Sequence, residues 1–485
     1  TETSTYNVAL GYNAGVAVLT ATHNTLIGGL AGDALTTGGS NVAVGYNSLS
    51  TEDGHGGNVA VGTNVLAVQN AGATGYNTAV GHNAGLSVTT GVQNTFIGGL
   101  AGDADTQGKG TTAIGYNALT AQNFTSDLSS FNVAVGHNAG LSNTTGTENV
   151  LIGADAARSQ QDVDGNVAIG YASMYNNTNG DKNVAVGRGT LVAMNYGSAT
   201  DGYNVAIGYD AGNDVTTGVD NTFVGGLAGD GTDDGTENVA VGKSALSGNC
   251  GDNNVAVGKD SLEVTTGSNN TAVGMSAGKG ITSGGANSLL GKDAGDILET
   301  GNNNVCIGNN VNPHQSNGAN QIAIGHDFQA VDNNYFSFGK ASNVVSNQFS
   351  VDASWSRSSD QRLKKDITDS TLGLSFINDL RTVKYSWKAS HELDSTDAEL
   401  AHLYKEDPAD NQMDTGVYMH NFIAQEVKEA LDSAGVSDFG GWGVDQYNVQ
   451  QVSREMFVIP LVKAVQELSA QVTALQAEVN TLKGG

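Results

Sequence analysis

The sequence predicts a mainly β fold, namely a parallel β-solenoid or β-roll of about 17-residue coils, followed by a small α+β domain that ends in a coiled-coil helix. Three observations lead to this prediction. The chain of 485 residues contains 67 Gly and only 3 Pro, which is about twice the usual share of glycine. The motif Asn-Val-Ala-Val-Gly recurs up to about residue 330. Beyond residue 358 the composition becomes that of a globular domain, and a heptad pattern closes the chain.

The repeats occupy residues 1–330, and their motif glycines follow at nearly constant spacing. Most steps are 17 residues, as from Gly28 to Gly45. The motif glycines are Gly11, Gly28, Gly45, Gly62, Gly81, Gly98, Gly115, Gly136, Gly153, Gly170, Gly187, Gly208, Gly225, Gly242, Gly258, Gly274, Gly291, Gly308 and Gly325. A period this short indicates a solenoid in which each unit buries its apolar face only against its neighbours.

Within one unit, Val42 and Val44 alternate with Asn41 and Ala43, and this period of two predicts a strand with one apolar face. A second glycine precedes the motif glycine by seven residues in several units, at Gly38, Gly91, Gly146, Gly218 and Gly267. Two glycines per coil predict corners with positive φ, so we expect strand, turn, strand, turn. Asparagines that begin the strands are expected to stack from coil to coil.

Two features interrupt or end the array. Residues 331–358 lose the repeat spacing, and the aromatic alternation of Tyr335–Gly339 and Phe349–Trp355 predicts strands that cap the last coil. Three steps exceed the usual spacing, and insertions in solenoids form loops that often carry recognition, although they also drift without function. The aromatic residues of two insertions are our candidates for binding a host receptor or glycan: Phe124, Phe131, Tyr196 and Tyr203.

Residues 359–457 form the predicted second domain. We expect a short helix at Leu374–Leu380, a strand at Thr382–Trp387, an acidic surface excursion at His391–Thr415 and an amphipathic helix at Asn421–Ser433. Residues 458–485 follow a heptad pattern. Its a positions are Val458, Val465, Val472 and Val479, and its d positions are Leu461, Leu468, Leu475 and Leu482. Valine at a with leucine at d favours two parallel strands.

The junction between the two parts pairs Ser359 with Lys364, which is the minimum for a serine nucleophile whose general base is an amine. Such a base must be neutral near pH 7, and burial or the adjacent cations Arg362 and Lys365 would favour that form. Because five residues along a helix place side chains on different faces, we expect Ser359 in a turn that Asp360 caps. A charged linker would show the same residues.

Residues Ser359–Lys364 resemble the S-D-x-R-L-K signature of the endosialidase-type intramolecular chaperone (peptidase S74 family), a self-cleaving C-terminal domain of phage tail fibres and tailspikes. Phe422–Val427 is similar to that family's F-I-A-Q-E-V element, and Pro460–Leu468 to its terminal helix. The resemblance implies a homotrimer, which we prefer to the two strands that the heptads favour. It also implies cleavage between Ser358 and Ser359, with Ser359 as nucleophile and Lys364 as general base.

The repeat unit is similar to the head repeats of trimeric autotransporter adhesins, which form parallel β-rolls. Together the resemblances imply a phage tail fibre in the virion that binds a host cell-surface receptor or glycan and meets other tail or baseplate proteins at its N-terminus. The alternative is an extracellular adhesin or filament at a cell surface that carries the same domain uncut. A glycan-degrading array is a third idea, but the repeats supply no recurrent pair of carboxylates.

Charge and composition limit which partners, membrane segments and cofactors the chain can be expected to have. A net charge of −28 and a pI near 4.4 argue against nucleic acid and anionic membranes as partners. No stretch has the roughly 18 apolar residues of a membrane span. Cys250 and Cys306 have no metal-binding spacing and are expected to be reduced. We expect no metal and no other cofactor, because the histidines are scattered and the aspartates of the repeats are explained by turns. These residues are His23, His55, His82 and His137, and Asp33, Asp103 and Asp230.

Overall fold

The chain divides into two compact units, Thr1–Ser358 and Ser359–Gly485. A computed structural model describes residues 5–349, 356–357, 359–408 and 418–484. The first unit is a parallel β-solenoid, as predicted, and the second is a small domain of short strands and helices that ends in a long helix. None of the helices in the described ranges combines the length and the apolar character that crossing a membrane requires.

Each coil of the solenoid contributes one short strand to a single parallel sheet. The register places equivalent residues side by side, so that Val42 pairs with Val59 and Ala43 with Ala60. The strands are Val8–Leu10, Thr25–Ile27, Val42–Val44, Val59–Val61, Thr78–Val80, Thr95–Ile97, Thr112–Ile114, Val133–Val135, Val150–Ile152, Val167–Ile169, Val184–Val186, Val205–Ile207, Thr222–Val224, Val239–Val241, Val255–Val257, Thr271–Val273, Ser288–Leu290, Val305–Ile307 and Ile322–His326.

The prediction of two strands in every coil is wrong. Away from the sheet, the described coils run through turns and bends, and paired strands occur there in two places. Gly180–Asp181 pairs with Thr200–Asp201, and Val311–Asn312 pairs with Phe328–Gln329. The coil is too short for a second regular strand because the turns that reverse the chain consume most of its residues.

The face of the strand that points inward is the opposite of what the apolar pattern suggests. Asn41 and Ala43 are fully buried, whereas Val42 and Val44 are only partly buried and point outward. A 17-residue coil encloses little space, so its strand presents small residues and hydrogen-bonding amides to the interior. The larger β-branched side chains therefore form a continuous outward face on the sheet.

The interior is filled by complementary side chains within a coil. Where the strand centre is Ala43, the residue six positions later is the buried Leu49. Where the centre is the larger Phe96, that later position is Gly102, and an added Cβ there would overlap the Phe96 ring. Phe223 and Gly229 repeat this exchange. The two versions of the repeat are thus two ways of filling the same volume.

The two glycines of a coil have different roles. Gly45 has φ of +134°, and a Cβ there would overlap the carbonyl oxygen of Gly62 in the next coil. Gly38 does not adopt positive φ, so our prediction for this second glycine is wrong. A Cβ on Gly38 would instead overlap the carbonyl oxygen of His55. Close stacking of backbones, rather than a corner, requires glycine at the second place.

The predicted asparagine ladder is present and lies inside the solenoid. The backbone N–H of Asn41 donates to Oδ1 of Asn24 at 2.8 Å, and Nδ2 of Asn24 donates across the coil to the carbonyl of Gly38 at 2.9 Å. Direct contacts between amides occur as well, for example from Asn304 Nδ2 to Asn287 Oδ1 at 3.0 Å. These asparagines thereby satisfy buried backbone groups of neighbouring coils. Exceptions are the Nδ2 atoms of Asn58 and Asn238, which have no hydrogen-bond partner among the described residues.

Strands follow the last coil, as the sequence predicted, but they form a hairpin whose second strand, Asn343–Gln348, precedes the predicted Phe349–Trp355. Tyr335–Lys340 continues the parallel sheet beside Ile322–His326 and then pairs antiparallel with Asn343–Gln348. Ser356–Arg357 adds a further antiparallel strand. The part of the predicted strand Phe349–Trp355 from residue 350 to 355 lies outside the described residues.

The second unit contains three α-helices, α1 (Leu374–Asp379), α2 (Ala424–Ser433) and α3 (Val458–Gly484), among its described residues. Two antiparallel pairs accompany them, Val383–Tyr385 with Met419–Asn421 and Trp442–Val444 with Gln450–Val452. Turns of 3₁₀ helix lie at Gln361–Leu363, Ser390–Glu392 and Arg454–Phe457. The predicted excursion His391–Thr415 consists largely of turns up to residue 408, and residues 409–417 lie outside the described part.

An aromatic core holds this unit together. Phe376 of α1 stacks on Phe457 with ring centroids 6.2 Å apart, and Phe422 approaches Phe457 to 4.8 Å. Val427 and Leu431 of α2 are buried in the same cluster. The helix predicted from Asn421 begins only at Ala424, because Asn421 still pairs with Val383 in the sheet.

The two cysteines are free and buried, as expected. Cys306 occupies the inward-facing centre of its strand, and burial raises the pKa of its thiol to about 12. Burial also raises the pKa of the Cys250 thiol. Both thiols therefore remain protonated at neutral pH and act as small apolar fillers of the solenoid.

Candidate autoprocessing site

The candidate site is a single turn at the start of the second unit. Asp360 has extended backbone, and its carboxylate accepts a hydrogen bond from the N–H of Arg362 at 2.8 Å. Asp360 thereby caps the 3₁₀ turn Gln361–Leu363, and Lys364 follows it with extended backbone. Ser359 lies immediately before the cap, which is the arrangement expected from the spacing of the two residues.

This turn brings the predicted nucleophile and base together. The Nζ of Lys364 donates to the Oγ of Ser359 at 2.7 Å, which is within the range in which a base can remove a hydroxyl proton. Only Gln361–Leu363 lie in the 3₁₀ turn, and Ser359 and Lys364 stand outside it, so helical spacing does not set the distance between their side chains. The capped turn thus explains how residues five positions apart come into contact.

Asp360 and Arg362 form a closed pair beside the contact. Nε and Nη2 of Arg362 donate to the two carboxylate oxygens at 3.1 and 2.7 Å. The guanidinium lowers the pKa of Asp360, and the carboxylate raises the pKa of Arg362. Because its charge is compensated by Asp360, Arg362 is a weaker source of the positive field that we expected to act on Lys364.

The surroundings of the pair are open to solvent. Ser359 and Lys364 are both exposed. The carbonyl that would be attacked belongs to Ser358, which lies outside the described residues. The contact supplies a nucleophile and a potential base, and a neutral amine further requires that water be excluded from Lys364.

Two other segments that the resemblance singled out, or that lie near them, stabilise the fold of the same unit. In the F-I-A-Q-E-V segment, Phe422 and Val427 pack in the aromatic core, and Glu426 pairs with Arg381. Glu467 of α3 accepts a hydrogen bond from the backbone N–H of Leu374 at 2.8 Å. Sequence reasoning missed this role of Glu467, although Gly373, which cannot cap α1 with a side chain, was a signal that another residue does so.

The structure separates the four predicted receptor-binding aromatics into two pairs. Phe131 and Tyr203 are 60% and 51% exposed, whereas Phe124 and Tyr196 are buried. The hydroxyl of Tyr196 donates to the carbonyl of Gly218 at 2.9 Å, and burial raises the pKa of Tyr196 to about 12. Phe124 and Tyr196 therefore fill the interior beneath the insertions, and the prediction that they contact a host surface is wrong.

Comparison with known proteins identifies the region that contains the pair. Residues 359–436 match the family model described as the chaperone of endosialidase, Peptidase_S74. The match begins at Ser359 and includes the segments Ser359–Lys364 and Phe422–Val427, whereas Pro460–Leu468 lies beyond it. No curated protein and no solved structure matched the chain. C-terminal to its β-solenoid, this chain therefore contains a chaperone-of-endosialidase domain at residues 359–436.

Proposed function

We propose that the protein is a structural phage tail fibre whose C-terminal domain directs trimerisation and folding and then releases itself by cleavage between Ser358 and Ser359. The observation that carries this proposal is the 2.7 Å contact between Ser359 and Lys364, at the first residue of a chaperone domain that directly follows a long β-solenoid. The function of the rod is to reach and bind a host cell-surface receptor or glycan.

The solenoid itself supports the need for a chaperone. Its strands pair in register with identical residues or with residues of similar shape, as Val42 with Val59 and Val59 with Thr78. A slip of one whole coil replaces most contacts by similar ones, so the sequence discriminates weakly against misaligned chains. Folding through such long-range parallel pairings is slow and prone to misassembly. Chains joined first at their C-termini start the rod in a common register.

The exposed face of α3 supports assembly with other copies of the chain, and the resemblance to the chaperone family makes us propose three copies. About half of each side chain along the seam is exposed: Val465 at 58%, Leu468 at 48%, Val472 at 51% and Leu475 at 60%. Pro460 and Ala464 instead face the unit's own core. An apolar seam of this length is a surface that helices of other copies cover.

The outward face of the solenoid sheet gives independent support. Its strands leave apolar side chains partly exposed, for example Ile97 at 38%, Ile152 at 37% and Leu290 at 51%. The face repeats at each coil, with an inter-strand spacing of about 4.8 Å. A continuous apolar face of this extent is typical of a surface shared between copies.

The cleavage step follows from the chemistry of the two side chains. The Oγ of Ser359 attacks the carbonyl carbon of Ser358 while its proton passes to a neutral Lys364 amine. Lys364 returns the proton to the α-nitrogen of Ser359 as the C–N bond breaks, which leaves an ester between the two serines. Water then hydrolyses the ester, giving a carboxylate at Ser358 and restoring the Ser359 hydroxyl. The reaction occurs once per chain.

A retained domain is the second candidate, and the exposure of Lys364 in the single chain favours it. An amine that stays protonated leaves the junction whole, and the domain would then be a permanent trimeric cap on a surface adhesin. Tail-fibre maturation requires instead that assembly cover Lys364.

The proposed function is tested by comparing the full chain with a chain that stops after Ser358, each expressed and sized in solution. We expect the full chain to give soluble trimeric rods and the truncated chain to aggregate or stay monomeric. A Ser359→Ala full chain is the matched control, since it keeps the domain attached and should still form trimers. Equal trimer yields with and without the domain would contradict the chaperone role.

A further inference from the structure

One cluster outside the junction has the composition of a metal site. Glu52, Asp53 and His55 lie in the third coil, and one ligand atom from each falls within 4.8 Å of the others. The Nδ1 of His55 is 3.2 Å from Oε1 of Glu52. No other group of this kind occurs among the described residues. The sequence did not predict it because His55 was one of several scattered histidines.

The burial of Glu52 is what distinguishes this cluster from a surface hydrogen bond. Glu52 is fully buried, and its Oε2 has no hydrogen-bond partner among the described residues. The contacts with the ring and the backbone N–H of His55 both use Oε1. They therefore leave an acceptor oxygen in the interior with nothing to bind, an arrangement that costs free energy unless a cation or proton supplies the partner.

A second buried carboxylate provides an internal comparison. Asp105 occupies the same place in its coil as Glu52, eleven positions after the asparagine that precedes the strand. Its Oδ1 accepts from the N–H groups of Gly108 and Phe124, and its Oδ2 accepts from Gln122. Protein donors account for both oxygens of Asp105. For Glu52 they account for one.

The geometry fits a transition metal better than a hard cation. Two ligands bound to tetrahedral zinc at about 2.0–2.2 Å lie about 3.3 Å apart, close to the separation of Nδ1 and Oε1. An imidazole nitrogen with carboxylate oxygens suits zinc, whereas calcium and magnesium prefer oxygen alone. The side chain of Asp53 is exposed and can turn towards the other two, while its carbonyl is held by the N–H groups of Thr36 and Thr37.

We infer that Glu52, Asp53 and His55 form a binding site for a divalent transition metal, with zinc as the best match, that joins the buried interior of the third coil to its surface. Glu52 and His55 are the fixed ligands, Asp53 is the third, and water completes the shell. A metal bound by Nδ1 of His55 and by both carboxylate oxygens of Glu52 would supply the missing partner of Oε2 and clamp the loop between two strands.

The test uses the full chain, freed of metal with a chelator and then incubated with zinc alone. Bound zinc is counted by elemental analysis after gel filtration, and cobalt is added in parallel because its visible spectrum reports nitrogen and oxygen ligation. The variants are Glu52→Gln, which places at this position the residue that Gln69 supplies in the next coil, and His55→Gln. Asp105→Asn and His137→Gln are the controls.

We expect one zinc per wild-type chain, an unchanged result for both controls, and a loss of affinity of about tenfold or more for each cluster variant. Zinc should raise the melting temperature of the wild type and leave that of the cluster variants unchanged. The side chain of His55 is 28% exposed, so His55→Gln tests the site even if Glu52→Gln fails to fold. Failure of the wild type to bind zinc, or binding that both cluster variants retain, would overturn the assignment.

Discussion

Close stacking of neighbouring coils leaves some backbone positions of this solenoid with no room for a side chain. Gly38 has an ordinary φ, yet its Cα lies so close to the next coil that any Cβ would overlap the carbonyl of His55. Gly54 also lacks positive φ, but a Cβ there would only touch the side chain of Thr37 at 3.4 Å. Two glycines of neighbouring coils thus differ in the space above them, although neither has positive φ.

We expect Gly38→Ala to destabilise the solenoid by about 2 kcal/mol or more, because a stacked backbone must shift to make room. Gly54→Ala should lie within about 0.5 kcal/mol of the wild type. Thermal or denaturant unfolding of the two variants measures the difference. Equal stabilities would mean that coil stacking at Gly38 is looser than the structure has it.

Asp105 is expected to give the solenoid a pH-dependent stability. Burial raises its pKa in the folded state above the unfolded value. The stability linked to this group is therefore complete below the unfolded pKa and is lost as pH rises through the folded pKa. Asp105→Asn removes the titration, so its stability relative to the wild type should increase by on the order of 1 kcal/mol between acidic and neutral pH.

Unfolding curves of Asp105→Asn and wild type at several pH values measure this change. Asp394 provides the control, because its pKa is lowered by its hydrogen bonds to Thr396 at an exposed position. Asp394→Asn should lose a little stability relative to the wild type as pH rises, the opposite sign. A constant offset between Asp105→Asn and wild type at all pH values would contradict the account.

At the residue scale, the sequence predicts the strand but not which face is buried. The alternation of Val42 and Val44 with Asn41 and Ala43 is visible in the letters, and hydrophobicity alone assigns the valines to the core. The buried residues are instead Asn41 and Ala43, because the interior of a coil is small and its buried backbone groups require hydrogen-bond partners. Those are properties of the closed coil and cannot be read from one strand.

Among the elements, α3 is the one to which the proposed function assigns the contacts with other copies of the chain. Its heptad pattern correctly predicted a helix, which spans Val458–Gly484. The start of α2 was predicted three residues too early, since Asn421 belongs to a strand whose partner is 38 positions away in the chain at Val383. Local periodicity finds helices, and long-range pairing sets where they begin.

We expect Leu468→Asp with Leu475→Asp to prevent trimer formation, because both charges would enter the apolar seam of α3. The domain core should survive, since both leucines are about half exposed in the single chain. Size-exclusion chromatography with light scattering measures the assembly state. Ala477→Asp, on the side of the helix away from the seam, is the control. A doubly substituted chain that remains trimeric would show that α3 does not hold the copies together.

For the whole molecule, repetition and the change of composition were enough to predict a solenoid followed by a small domain. The position of Ser359 beside Lys364 could also be predicted, since it follows from a capped turn within six residues. The way in which the inserted segments fold against the coils could not be predicted. Phe124 and Tyr196 look like exposed loop aromatics in the sequence, and only the stacking of coils around them determines their burial.

The central claim is that the chain cuts itself at the junction, and the intact mass of the freshly expressed protein under denaturing conditions tests it most directly. Wild type should yield two fragments, one ending at Ser358 and one starting at Ser359. Ser359→Ala and Lys364→Ala should each remain whole while still forming trimers. A wild-type chain that stays whole after trimer assembly, or cleavage that persists in both variants, would contradict the proposed mechanism.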